Sequence, residues 1–405
     1  MKKEILTLKG QDIDLIYGYD NSLPLVIFRL VFRASGDFRS SKAGVAKIVS
    51  ALLEEGSKKN SKKFINELEK RAISLSFEAG FETFVVEISC LKEQFSKALG
   101  FLKEILKEPN FTEESLKKVK TIQKGTLLAL KNNFDYMAQL SLSSILYEDK
   151  LKQRSIFGTL ESIDSIELQD VKNFFDTLCL SNLFVVLGGD VALKREEIAE
   201  ALDSLPVGKV ENLPFFKTSS KEEVLKTKEM TNQAYIYFGA PYFVERDEKY
   251  LADVATFILG SGGFGSRLME EVRVKNGLAY SIYARNDLKL SSRSILGYMQ
   301  TKNSKKDEAL ALIKEEFSKF VKFGVDKKEL EQAKNFLKGS LVLRKETFLK
   351  RLNIAQGEYY DGYKFGKFDE EIEKIISLSL DRLNGFIKEH EEITKLSFAM
   401  IYNED

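Results

Sequence analysis

Apolar and polar positions alternate with a period of two in several short runs and with a helical period in longer ones, so strands and helices are mixed along this chain. The runs ILTLKGQDIDLIYGYD and LPLVIFRLVFRASG near the N-terminus read as strands. A helix is predicted over residues 43–55, with Ile48, Val49, Leu52 and Leu53 on one face and Gly56-Ser57 ending it. A second helix is predicted over 62–72, followed by the strands ISLSFEAGF and TFVVEISCL. Helices over 93–106, 113–131 and 136–147 come next, then the strand NLFVVLGGDV and a helix over 194–205.

The stretch PVGKVENLPFFKTSSKEEV has no period and carries Pro, Gly and Ser, which places a linker near 207–221. After it the order repeats. Strand 234–243 corresponds to 27–36, and a helix over 249–259 corresponds to that over 43–55. The helical run SRLMEEVRVK, the strands LAYSIYARNDL and SRSILGYMQTK, and helices over 306–323 and 327–345 follow. Leu116, Lys120, Lys124, Gly125, Thr126 and Leu127 recur as Leu330, Lys334, Lys338, Gly339, Ser340 and Leu341. Glycine inside a helix costs about 1 kcal/mol, so its recurrence within a matched Lys-Gly-hydroxyl-Leu run points to duplication. The expected architecture is α+β, with tandem domains over 1–210 and 221–405.

Composition narrows the function classes. A chain of 405 residues is long for one core, and 43% hydrophobic with 30% charged residues is ordinary for a globular protein. Basic and acidic residues number 62 and 61, so no global field attracts nucleic acid or anionic lipid. No run of 18 apolar residues offers a membrane span. Cys90 and Cys179 form no C-x-x-C pair and read as buried, reduced thiols. The N-terminal MKKEILTLKGQDIDLIYG has two lysines but no apolar core of a signal peptide, which suggests a cytoplasmic setting, or a periplasmic one if a leader was removed.

The most specific stretch is LGSGGFGSRLMEEVRVKNGLAYSIYARND, residues 259–287. Its Gly-rich turn, S-R-L, amphipathic helix ending in Arg, and G-L-A-Y closely resemble the second-domain signature of the pitrilysin and mitochondrial-processing-peptidase metallopeptidases. Residues 157–191 resemble the first-domain pattern of the same family, and the resemblance runs from about residue 12 to 400. It implies two homologous domains, each a sheet of about six strands backed by helices, forming half of a clamshell.

Active members of that family carry G-x-A-H-x-x-E-H-M-x-F-x-G-T, in which two His bind zinc and the Glu activates water. This chain has Gly44-Val45-Ala46-Lys47-Ile48-Val49-Ser50-Ala51-Leu52-Leu53-Glu54-Glu55-Gly56-Ser57. The flanking Gly, Ala and Gly-hydroxyl positions align, but Lys47 and Ala51 stand at the ligand positions and Ser50 at that of the base. The position of the family's third ligand, a Glu, falls near Gly125 or Thr126. An ammonium, a hydroxyl and a methyl on one helix face are not a zinc set, since a lysine must lose its proton to bind metal. The chain's one histidine, His390, could not build a His₂Glu site and reads as a solvated helix residue. No metal or other cofactor is therefore expected in this chain.

The resemblance implies that Arg273 and Tyr280 are the pair with which the second domain holds substrate and oxyanion. A guanidinium or a hydroxyl donor at a developing oxyanion is worth about 2.7–4 kcal/mol. Gly277 would let the helix ending near Lys275 turn into a strand from Leu278. The competing structural reading pairs Arg273 with Glu270 or Glu271 and puts Tyr280 in a core. The turn of Gly262, Gly263, Gly265 and Ser266 is expected to let backbone approach a bound peptide, or only to reverse the chain.

Other signals point elsewhere. Gly260 to Gly265 spells G-x-G-x-x-G, with Asp287 further on, but a helix rather than a strand precedes it, against a dinucleotide site. Lys58, Lys59, Lys62 and Lys63 read as a solvated face. The hydroxyls of Ser141–Ser144 have no histidine in reach in the sequence, so a Ser–His nucleophile has no support. The expected function is a non-zinc-binding subunit of a zinc endopeptidase, paired with a zinc-bearing homologous subunit as a heterodimer, or with itself, and contacting a peptide substrate. The alternative is an inert structural or peptide-binding scaffold of the same fold, and a third is unrelated chemistry through Lys47 and Ser50.

Overall fold

The computed structural model describes residues 1–59 and 61–404, with nothing stated of the side chains of residues 61 and 62. The chain forms two compact units, each described by itself. Unit 1 comprises residues 1–129, 155–213 and 345–365; unit 2 comprises 130–154, 214–344 and 366–405.

Unit 1 contains strands β1 (Lys2–Leu8), β2 (Gln11–Tyr19), β3 (Leu25–Phe32), β4 (Ser74–Ala79), β5 (Phe84–Leu91) and β6 (Leu183–Gly189). They form one sheet in the order β1-β2-β6-β3-β5-β4. Unit 2 contains β7 (Val224–Lys228), β8 (Ala234–Pro241), β9 (Ala279–Leu288), β10 (Arg293–Thr301) and β11 (Ser397–Tyr402), in the order β7-β11-β8-β10-β9. The two orders superimpose once β1 is set aside. In each sheet one parallel pair, β2 with β6 and β7 with β11, adjoins antiparallel ladders through β3 and β8. The duplication inferred from the Leu-Lys-Lys-Gly-Leu repeat is thus written into the strand order.

Alternation explains the layers. On β3, Val26, Phe28, Leu30 and Phe32 face a core built with Ile48, Val49, Leu52 and Leu53 of the Val45–Glu54 helix and with the Phe95–Lys107 helix. The opposite phase, with Val31 beside Ile16, Phe184 and Val186, forms a second cluster with Leu352 and Ala355. In unit 2, Ile236 and Phe238 face the larger core with the Lys249–Thr256 and Lys306–Phe323 helices. The other face packs Tyr237, Leu296 and Ala399 against Leu142 and Leu146.

The contiguous blocks 1–210 and 221–405 are not the compact units. The Phe348–Tyr360 helix, from the C-terminal half, belongs to unit 1, and the Phe134–Leu146 helix, from the N-terminal half, belongs to unit 2. Each covers a sheet face that is built by the other half of the chain. Gly188 makes room for the first: a Cβ there would lie 2.8 Å from Phe348 and Leu352 carbons. Polar contacts fix it further. Arg29 donates to Asn353 and Gln356 (2.7 and 2.8 Å), Tyr360 to Glu82 (2.7 Å), and Tyr359 to Asp14. On the second helix's side, the Tyr147 and Ser294 hydroxyls lie 3.4 Å apart, buried. Beyond residue 345 the sequence reading drew no element bounds, only a helical setting for His390, and so this helix, the two that follow (Lys367–Ile376, Leu380–Glu389) and β11, as well as β7 in the linker region, are found only in the structure.

Candidate functional site

The degenerate motif lies on the Val45–Glu54 helix of unit 1. Gly44 precedes it at φ +95°, and a Cβ there would strike Ile163 at 2.6 Å, so the entry to the helix tolerates only glycine. The three motif positions are turned to internal use. Lys47 holds its ammonium 5.5 Å from the Phe157 ring centroid, a cation–π contact. Ser50 is buried and donates its hydroxyl to the Phe77 carbonyl on β4. Ala51 is half-buried and offers a methyl. Glu54 is exposed by area, yet its carboxyl turns onto the strand. Desolvation there pushes it above the usual carboxylate range, while the Phe77 N–H and the Lys47 ammonium pull it back.

The third-ligand helix, Glu113–Lys131, is likewise committed to structure. Gln123 donates to the Phe157 carbonyl at 3.0 Å, Lys120 to the Asp164 carbonyl at 3.0 Å, and Lys124 pairs with the Asp164 carboxylate. Gly125 is exposed with nothing within 4 Å of a built Cβ, and neither it nor Thr126 supplies a carboxylate. Among the described residues no group of three or more His, Cys, Asp or Glu could hold a metal ion. A zinc ion does not fit this helix face: its ligand positions present an ammonium held over a ring and a methyl, and its base position a hydroxyl already donating. Ser50 spends its hydroxyl proton on a carbonyl, and no hydrogen bond joins it to Lys47.

His390 corrects the sequence reading. It is buried rather than solvated, at the end of the Leu380–Glu389 helix, with Nδ1 2.8 Å from Glu392 and its ring against Tyr242 and Phe386 (centroids 5.3 and 4.4 Å). Burial works to raise the Glu392 carboxyl, but the hydrogen bonds from His390 and from the Phe243 N–H outweigh it and hold it below the usual range. In the sequence, KEHEE looked wholly polar, and only Tyr242, just past the end of β8, and Phe386, one turn earlier on the same helix, show why the imidazole is enclosed.

The second-domain signature lies in unit 2. The Lys249–Thr256 helix widens into π-helical turns over Phe257–Ser261, a tight turn spans Gly263–Gly265, and a further π-helical stretch runs Met269–Lys275. No strand enters this glycine run, so it lacks the context of a dinucleotide fingerprint. A Cβ at Gly262 would lie 2.7 Å from the Phe257 carbonyl, whereas Gly263 and Gly265 have open space around them. Ser266 is buried and donates to the Gly263 carbonyl at 2.8 Å, so its hydroxyl closes the turn. Arg267, which the sequence reading passed over, anchors the segment. Its guanidinium makes a forked pair with Glu329 (2.6 and 2.7 Å) and reaches the Gly324 carbonyl (2.7 Å).

Arg273 sits in the last turn of the Met269–Lys275 stretch, and Gly277, at φ +60°, turns the chain so that Tyr280 is the second residue of β9. The Arg273 guanidinium lies between two rings, 4.7 Å from the Phe264 centroid and 4.8 Å from that of Tyr280. Both rings are outward: Phe264 is 70% and Tyr280 81% exposed. Tyr280 is not a core residue, and Glu271 pairs with Lys275 rather than with Arg273. Phe264 was the residue missed here, since nothing in a glycine-flanked phenylalanine announces that its ring will meet an arginine nine positions on.

Comparison with known proteins decides the family. Residues 35–160 match the family model described as insulinase (peptidase family M16), and residues 165–337 match that of the peptidase M16 inactive domain. A Helicobacter pylori protein described as a non-peptidase homolog, YmxG, is 38% identical over 398 residues, spanning 96% of this chain and 92% of that protein. The chain belongs to peptidase family M16. More distant relatives include an uncharacterized zinc protease of Rickettsia felis, 24% identical over 87% of this chain and 86% of that protein. The fold matches the crystal structure of a peptidase M16 inactive domain from Pseudomonas fluorescens, with a TM-score of 0.87 at 21% identity over 100% of this chain and 99% of that one. It also matches a protease from Helicobacter pylori, with a TM-score of 0.81 at 17% identity over 99% of both chains. The mixed six- and five-stranded sheets backed by helices are thus those of M16 domains. Among the described residues, no helix is long and apolar enough to cross a membrane.

Proposed function

We propose that this M16 chain is the non-zinc-binding subunit of a zinc endopeptidase, which binds a related chain with an intact zinc motif and supplies Arg273 and Tyr280 to its substrate. One contrast carries the reading. Lys47 and Ser50 are spent on Phe157 and Phe77, whereas the half-buried Arg273 has no polar partner among the described residues and the Tyr280 ring beside it stands open to solvent. Residues freed from catalysis have become packing; residues that would meet a peptide have not. In this role Arg273 and Tyr280 donate hydrogen bonds to the carbonyl oxygen of the bound peptide as charge develops on it, and the open turn at Gly263 and Gly265 admits the peptide backbone. The partner carries the zinc, and the pair works in the cytoplasm, or in the periplasm if a leader precedes the mature chain.

The test is reconstitution. Mixing the chain with a zinc-motif M16 homologue from the same organism should create zinc-dependent endopeptidase activity that neither has alone. Arg273→Ala or Tyr280→Phe should then lower kcat about 10²–10³-fold without dispersing the complex. Unchanged turnover in both variants refutes the role. The description of the Helicobacter pylori relative as a non-peptidase homolog favours a second reading, an inert peptide-binding scaffold. A stable monomer or homodimer from native cells, with no zinc-motif homologue co-purifying, would decide for it.

A further inference from the structure

We infer that the Phe264–Arg273–Tyr280 stack is a receptor for a carboxylate carried by a bound peptide, either its free C-terminus or an Asp or Glu side chain. This rests on the proposal that the stack faces substrate, and it adds the chemical class recognised. Two other arginines with forked or stacked contacts turn their guanidinium groups inward. Arg267 spends its fork on Glu329. Arg33 is also stacked between two rings, Phe184 at 4.8 Å and Tyr359 at 4.5 Å, but it donates to the Tyr359 carbonyl and lies among packed residues of unit 1. Arg273 has the same ring–cation–ring geometry on a surface, and no carboxylate of the described residues closes on it. Glu271, on the same helical turns, is held by Lys275.

Both rings lie against the guanidinium, and no hydrogen bond or ion pair of the described residues takes up its N–H groups, so those donors are left for a partner. A planar fork of weakly hydrated donors matches the two oxygens of a carboxylate. Stacking fixes the plane before the ligand arrives, which removes part of the ordering cost of binding. The rings add no competing acceptor except the Tyr280 hydroxyl, which can donate to the same anion. Phe264 reaches its place because Gly263, at φ +61°, turns the backbone outward one residue earlier.

The experiment uses the purified full chain and fluorescein-labelled, alanine-rich decapeptides, read by anisotropy. One pair differs only in a free or an amidated C-terminus. A second pair, both amidated, carries a central Glu or Gln. At least one charged member should bind roughly tenfold tighter than its uncharged twin. That preference should vanish in Arg273→Gln and in Arg273→Lys, which keeps the charge but loses the fork, and should fall in Phe264→Ala. The pair that shows the preference identifies the source of the carboxylate. Equal binding of both pairs, no binding of any peptide up to millimolar concentration, or a preference that survives Arg273→Gln would overturn the inference. Since no zinc-bearing partner is present, failure here leaves the reconstitution result standing, and failure of reconstitution leaves a measured carboxylate preference standing.

Discussion

Leu352→Ala tests whether the Phe348–Tyr360 helix belongs energetically to unit 1. Leu352 is fully buried against Phe184, Val186 and Ile16, and its Cδ2 fills the space that Gly188 leaves on β6. Truncation removes Cγ and both Cδ carbons, at about 0.8 kcal/mol for each carbon taken out of the core. Gly188 has no side chain with which to fill the hole, so a cavity term adds to this, and the expected cost is about 3–5 kcal/mol within the usual range for buried Leu→Ala. The assay is urea denaturation followed by far-ultraviolet circular dichroism, since the chain has no Trp, together with hydrogen exchange read by mass spectrometry. Exchange should speed up in β2, β6 and residues 348–360, while β8 and β11 keep their protection at the lowest denaturant. Leu146→Ala should do the reverse, because Leu146 packs on Ala399 and lies 3.1 Å from where a Gly239 Cβ would be. Loss of protection in β8 and β11 on Leu352→Ala, with β2 and β6 unaffected, would refute the assignment of that helix.

Three further outcomes follow from local geometry. Ser50→Ala strands the Phe77 carbonyl and should cost about 1–3 kcal/mol in denaturation without changing the metal content of the purified chain; stoichiometric zinc in the wild type would overturn the reading of the motif. Gly125→Ala and Gly339→Ala each place a methyl in open space on an exposed helix face and should stabilise by about 0.4–1 kcal/mol, read as a raised Tm; a lowered Tm would mean that the glycines serve a close approach. The Glu392 carboxyl is held below its ordinary value near 4.5 in the folded state, so its contribution to stability is complete above that pH and is lost as pH falls through the lower folded value. Glu392→Gln should therefore flatten the acid limb of the stability curve below about pH 4.5, and an acid limb unchanged by the substitution would refute the pairing.

What could be read in advance divides along physical lines. Period and turn residues placed most helices and strands within a few positions, because amphipathicity is a local property of the chain. They failed beyond residue 345, where the Phe348–Tyr360 helix is nearly as polar as apolar and its buried face is narrow, and at β7, whose five residues are mostly exposed. The candidate site was legible where it depended on residue identity and opaque where it depended on neighbours. His390 shows the limit: a polar pentapeptide gives no sign that Tyr242 and Phe386 will enclose its imidazole.

The sequence alone settled which atoms are available. An alanine methyl and a protonated lysine cannot ligate zinc in any fold, and a repeated helix sequence implied a repeated unit before any strand order was known. Only the tertiary structure decided who meets whom. An apolar stripe states that a helix must bury one face but not which sheet will cover it, so the exchange of one helix between the two halves could not be foreseen. Nor could the pairing of a guanidinium with two rings, since Phe264, Arg273 and Tyr280 are brought together by a π-helical turn and a left-handed glycine rather than by their spacing.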